Sequence, residues 1–119
     1  MVMLPRTRIY KILSQYDWSI SEPLGISKTP LDDMDGYVHL STREQVAETL
    51  RLHYAGEENV RLLEYIVEEM SGPIRWEESR GGQFFPHLYA HLRLADAKRS
   101  WILVSGADGV PVLPANIDA

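Results

Sequence analysis

Two clusters of side chains in this chain of 119 residues combine types that can do chemistry together. The first is Asp32-Asp33-Met34-Asp35-Gly36-Tyr37-Val38-His39-Leu40-Ser41-Thr42, in which three carboxylates and a glycine lead into a histidine and a hydroxyl pair. On a strand, His39 and Ser41 point the same way, because side chains alternate with period two. A helix that starts just beyond them offers amides and partial positive charge, which suits an anion such as phosphate. The chemistry this implies is a histidine and a hydroxyl gripping the ribose or phosphate of a nucleotide. The competing reading makes His39 a satisfied core histidine and Ser41 only a helix cap.

The second cluster runs from Arg75 to Tyr89 and mixes stacking surfaces (Trp76, Phe85, Tyr89) with cations (Arg75, Arg80), acids (Glu77, Glu78) and Gly81-Gly82. Aromatic rings beside arginine suit a planar ligand through stacking and cation–π contact. Glu77 is the candidate general base or ribose-hydroxyl acceptor, His87 its companion in catalysis, and Arg80 and His87 the anion holders. The bland alternative makes Trp76 and Phe85 core and leaves Arg80 and Glu78 in solvent.

Metal chemistry is the weaker option. On an extended segment His87 and His91 share a face about 13 Å apart, too far for one zinc ion. Asp32, Asp33 and Asp35 read first as turn and cap residues, since the glycine and terminal glutamate of a calcium loop do not fall at the required offsets. A metal-dependent hydrolase built on the histidines and these aspartates stays open as an alternative. A serine hydrolase lacks its Gly-x-Ser-x-Gly elbow. With no cysteine in the chain, disulfides, thiolate nucleophiles and cysteine metal sites are excluded.

The elements that must position these residues follow from pattern. Arg8–Leu13 reads as a strand. Ser14 caps a short helix through Trp18 and Ile20 that fails before Pro23. Gly25 to Gly36 reads as loop, and Tyr37–Leu40 as a short strand. Ser41 and Glu44 form a capping box for a helix whose face carries Val46, Leu50, His53 and Tyr54, closed by Gly56. Val60–Val67 fits a helix or a strand, and its bounding glycines favour the strand. Strands then follow at Ile74–Glu77, within Phe84–Leu92 and at Ser100–Val104. Ala107-Asp108-Gly109 marks a hairpin, its return Val110–Leu113 is an edge strand because of Pro111, and the last six residues read as loose. The sum is an α+β domain, a strand-rich mixed sheet with two short helices.

Length and composition set the outer bounds. One domain with a real core is expected, and 45% hydrophobic with 24% charged residues argues against disorder. A net charge of −5 argues against general nucleic-acid binding. No apolar run suits a signal peptide or a membrane span, so a cytoplasmic location is expected. Oligomeric state is not readable.

Several of these stretches together resemble a known family. Ile9-Tyr10-Lys11-Ile12, Trp18, Asp35-Gly36-Tyr37-Val38-His39-Leu40-Ser41-Thr42 with Gln45-Val46, Leu62-Leu63, Arg75-Trp76-Glu77 with Ser79 and Gly81-Gly82, and Phe85-Pro86-His87-Leu88-Tyr89 are similar to a small bacterial domain-of-unknown-function family, number 952. Its signatures read approximately DGFIHLST, RWE and FPHLYG. Tyr37-Val38 stands where the family has Phe-Ile, and Ala90 where it has glycine, so a tight backbone approach at Ala90 is not expected. The resemblance implies a split sheet like that of the ADP-ribosyltransferases, with NAD as the ligand of its central cleft. It puts His39 and Ser41 on the cofactor, with the His87 region as the second wall of the cleft. Joined to the reading of the residues, this sets His39 and Ser41 on ribose and phosphate and Trp76, Arg80, Phe85 and Tyr89 around a nucleotide-like ligand, beside Glu77 and His87. The glutamate that many such transferases carry on a late strand has no secure counterpart. A non-catalytic binding module that kept the cleft is therefore the alternative to an enzyme.

Overall fold

The structure is a computed structural model that describes residues 6–119; residues 1–5, part of the stretch read above for a signal peptide, lie outside the described residues. Its strands are β1 (Arg8–Leu13), β2 (Val38–His39), β3 (Ser41–Thr42), β4 (Arg61–Ile66), β5 (Ile74–Glu78), β6 (Phe84–Leu88), β7 (Arg99–Ile102), β8 (Val104–Ser105) and β9 (Pro111–Val112). Its helices are α1 (Gln15–Leu24), α2 (Pro30–Asp35) and α3 (Arg43–His53). The chain is α+β as expected, with three helices among the described residues rather than two. The sheet is not mixed. Every ladder is antiparallel, in a four-stranded sheet ordered β3-β1-β4-β7, a three-stranded sheet ordered β2-β6-β5, and the hairpin β8-β9.

Both faces of the larger sheet are covered, which explains why β1 is buried from Ile9 to Leu13 without solvent-facing alternation. Ile9 and Leu13 pack with Leu63 and Tyr65 of β4 and with Val38 and Leu88 of the smaller sheet. Tyr10 and Ile12 point the other way and pack with Leu62 and with Val46 and Leu50 of α3. Period-two alternation within β4 feeds both cores, a demand that no single helical stripe meets. That decides the Val60–Val67 stretch as strand.

Three local readings need correction. Helix α1 runs through Pro23 to Leu24, because a proline in the last turn removes one hydrogen bond there and leaves the rest of the helix intact. Gly25, at φ 74°, then closes it by donating to Ser21 O at 2.9 Å. The expected loop from Gly25 to Gly36 contains α2, whose start carries the Thr29 cap and Pro30 in its first turn. Third, the capping box of α3 sits one residue later than expected. Thr42 accepts from Gln45 N at 3.2 Å and Gln45 Oε1 accepts from Thr42 N at 3.0 Å. Thr42→Ala should therefore cost about 1 kcal/mol in urea unfolding, and Ser41→Ala distinctly less. Equal losses would contradict this cap.

The expected strand Ser100–Val104 is broken at buried Leu103, which passes from the larger sheet to the β8-β9 hairpin. The last six residues are also tied down rather than loose. Ile117 is buried in the core under α3, and Arg99 donates to the carbonyls of Asn116 at 2.7 Å and Ile117 at 2.6 Å.

Candidate functional site

Between His39 and Ser41 the chain changes sheets. β2 pairs with β6, β3 pairs with β1, and buried Leu40 makes the step while its amide donates to Pro86 O at 3.1 Å. His39 and Ser41 thus stand on two strands of two sheets rather than on one strand. A cleft of about 720 Å³ opens here, and both residues line it. Arg80, Phe85 and His87 line it too, so five of the eight residues picked from the sequence meet at one cavity.

Its floor is a buried ionic chain. Lys11, only 3% exposed, donates from Nζ to Asp32 Oδ2 at 2.7 Å and to His39 O at 3.0 Å. Asp32 Oδ1 accepts from the His39 amide at 3.1 Å and lies 2.7 Å from His39 Nδ1. Burial alone would raise the Asp32 carboxyl, but His39 and the Lys11 ammonium outweigh it and hold it below the usual carboxylate range. Burial pulls Lys11 below an ordinary lysine, against the opposing charge of Asp32. Asp32 is thus a buried ion-pair partner, not the solvated turn residue expected. At the far side of the ring, His39 Nε2 lies 2.9 Å from Asp35 Oδ2, at the end of α2. Gly36, at φ 80°, then turns the chain so that Tyr37 and His39 follow into the cleft wall.

A second histidine–carboxylate pair stands opposite. His87 Nδ1 lies 2.9 Å from Glu77 Oε1, and the Tyr89 hydroxyl donates to that same oxygen at 2.6 Å. Both contacts, Tyr89 first, hold Glu77 below the usual carboxylate range. With Nδ1–H donating its hydrogen bond to an ionised Glu77, Nε2 of His87 is the ring atom left for the cleft. Nε2 has no protein partner among the described residues. Tyr37 stacks on His87 with ring centroids 4.2 Å apart and tilts against His39 at 4.6 Å, holding the two imidazoles 5.4 Å from one another.

The remaining wall is hydroxyl and cation. Arg80 donates to Thr49 Oγ1 at 3.2 Å and covers Phe85 at 5.0 Å, while Ser41 Oγ lies 3.4 Å from Thr49 Oγ1. Among the described residues Arg80 has no carboxylate partner. The cleft uses the side of α3 rather than its start, where Thr42 and Gln45 close on each other.

Three picked residues do not line the cleft. Glu77 and Tyr89 stand behind His87 and steady it. Trp76 pairs with Pro86, one residue out of phase with Phe85 and His87, and so faces the other side of the smaller sheet, 44% exposed. Lys11, Tyr37 and Thr49 were missed as site residues, and Asp35 was read only as a turn residue or a metal ligand. Lys11 did carry a signal, a lone cation inside an otherwise apolar strand. His91 is exposed beyond the end of β6, and among the described residues no three His, Asp or Glu side chains converge in a metal-holding group. A close backbone approach does occur at Ala90. A Cβ at Gly72 would come within 2.5 Å of Ala90 Cβ, so the glycine needed at this contact is Gly72.

The chain belongs to the family described as protein of unknown function DUF952, whose match spans residues 12–100. Among solved structures it is similar to the crystal structure of protein CC0527 from Caulobacter crescentus, at 40% identity over 89% of this chain and 94% of that one, with a TM-score of 0.82. A double mutant of that protein matches at 41% identity over the same shares, also at 0.82. Its solution NMR structure matches at 40% identity over 87% and 90% of the two chains, at 0.75. No curated protein matches the chain. No helix among the described residues is long and apolar enough to cross a membrane.

Proposed function

We propose that the cleft binds NAD or a closely related nucleotide in an ADP-ribosyltransferase-like fold. The observation that carries this reading is the company Arg80 keeps: a cation without a carboxylate partner among the described residues, beside the Thr49 and Ser41 hydroxyls and over Phe85. Guanidinium and hydroxyls suit phosphate oxygens, and Phe85 suits a planar ring. The volume of about 720 Å³ falls in the range of small-molecule and cofactor sites.

In this reading His39 and Ser41 hold ribose and phosphate, and Arg80 holds the anionic part. His87 exchanges protons through Nε2, with Glu77 and Tyr89 as its positioning residues. Glu77 itself stays out of contact with the ligand, and Trp76 has no role. A bound dinucleotide would supply the ribosyl group for transfer. The position of Glu77 behind His87 also favours a second reading, a binding module without turnover.

A thermal-shift screen against NAD, ADP-ribose and mononucleotides tests the first reading. A ligand at a hundred times its dissociation constant adds about 2.7 kcal/mol, an easily visible rise in Tm. The rise should vanish in His39→Ala while the variant keeps its fold. A flat response to every nucleotide would sink the proposal. Binding of NAD without release of nicotinamide on long incubation would favour the module.

A further inference from the structure

We propose that Asp35 and His39 together form a subsite for a vicinal diol, the pair of neighbouring hydroxyls on a ribose ring. The inference deepens the nucleotide reading and rests on it. It starts from what each of the two groups has left to offer. Asp32 takes the Nδ1 side of His39, at 2.7 Å, and the Lys11 ammonium fixes Asp32 from behind. The ring is therefore locked with Nε2 as its working atom, and the one group that meets Nε2 is Asp35, at 2.9 Å.

Asp35 differs from Asp32 in every respect that bears on ligand binding. Its side chain is 33% exposed against 7% for Asp32, and it lines the cleft mouth. Oδ1 of Asp35 has no donor among the described residues, so the carboxylate has an acceptor to spare. A protein that needed only to neutralise His39 already has buried Asp32 for that purpose. A second, half-open carboxylate aimed at the same ring gives the cleft two acceptor oxygens beside a ring nitrogen. A vicinal diol complements this set, with its two hydroxyls donating to the carboxylate oxygens and the ring edge of His39 alongside. A phosphate does not, because Asp35 would repel it. The anion therefore belongs at Arg80 and the sugar at Asp35, which orients the ligand along the cleft.

The test compares adenosine monophosphate with deoxyadenosine monophosphate, which lacks one hydroxyl of the diol, by calorimetric titration of the full chain. The wild type should bind the ribonucleotide about tenfold more tightly, the worth of one charge-assisted hydrogen bond. Asp35→Asn and Asp35→Ser should bind the ribonucleotide more weakly and lose the preference, with Tm close to the wild type. A merely structural Asp35 would change Tm and leave the preference standing, and that result would overturn the subsite while sparing the nucleotide reading. A wild type that binds neither nucleotide, ADP-ribose nor NAD would overturn both.

Discussion

Replacing Lys11 with alanine is expected to destabilise the protein by about 3–5 kcal/mol, a large share of a domain's total stability. The substitution removes the cation that faces Asp32 at 2.7 Å inside the fold, where both side chains are almost wholly buried. An unpaired buried carboxylate costs far more than the pair contributes, so removing both should cost less than removing one. Urea unfolding of Lys11→Met, Asp32→Asn and the double variant gives the comparison. A double variant less stable than the sum of the singles would contradict the ion-pair reading. Acid should act through the same pair. The Asp32 carboxyl titrates lower in the folded chain than in the unfolded one, so its contribution is present above about pH 4 and is lost as pH falls through the folded value. Asp32→Asn should flatten the acid limb of the stability curve.

Glu64→Ala should cost about 3 kcal/mol, by removing the acceptor at the centre of a cross-strand chain. Glu64 is 2% exposed; the Tyr10 hydroxyl donates to it at 2.9 Å from β1, and Arg99 grips it from β7 with two nitrogens, at 2.9 and 2.6 Å. Arg99 is partly exposed and can rehydrate, which keeps the loss at the low end for a broken buried pair. The same chain predicts sensitivity to base. Burial, reinforced by Glu64, pushes the Tyr10 hydroxyl up to about 12. A raised value means that its contribution is full below the unfolded value of about 10 and disappears as pH climbs toward 12. Phenolate absorbance against pH should show Tyr10 among the buried tyrosines, with Tyr54 and Tyr65, that titrate late, and Glu64→Ala should bring the Tyr10 step to lower pH. Unchanged titration in the variant would show that the contact carries no weight.

Much of the frame was legible because the signals were local. The cap at Ser14, the glycines that bound Val60–Val67 and the Ala107-Asp108-Gly109 turn each report on nearby residues, and each led to an element where one exists. What was misread depends on partners distant in sequence. Asp32 is a capable turn residue by itself and becomes an ion-pair partner only when β1 brings Lys11 alongside. Trp76 and Phe85 are equally aromatic, and only the register of β5 on β6 sends one into the cleft and the other out of it. The paired histidines were visible as types. The acids Glu77 and Asp35 were visible too, but which of them meets which histidine was not, because strand pairing and a helix end set those contacts rather than spacing alone.

The position of β1 inside the larger sheet has a consequence for biosynthesis. Arg8–Leu13 is translated before its long-range partner β4, which brings Glu64 opposite Tyr10 only 54 residues later. At ~5–20 residues per second, roughly 3–11 seconds pass between the two at the ribosome. Through that interval Ile9, Tyr10, Ile12 and Leu13 form an apolar strand whose β4 edge is open. The nascent chain therefore offers a chaperone an open apolar segment that the finished fold buries from Ile9 to Leu13.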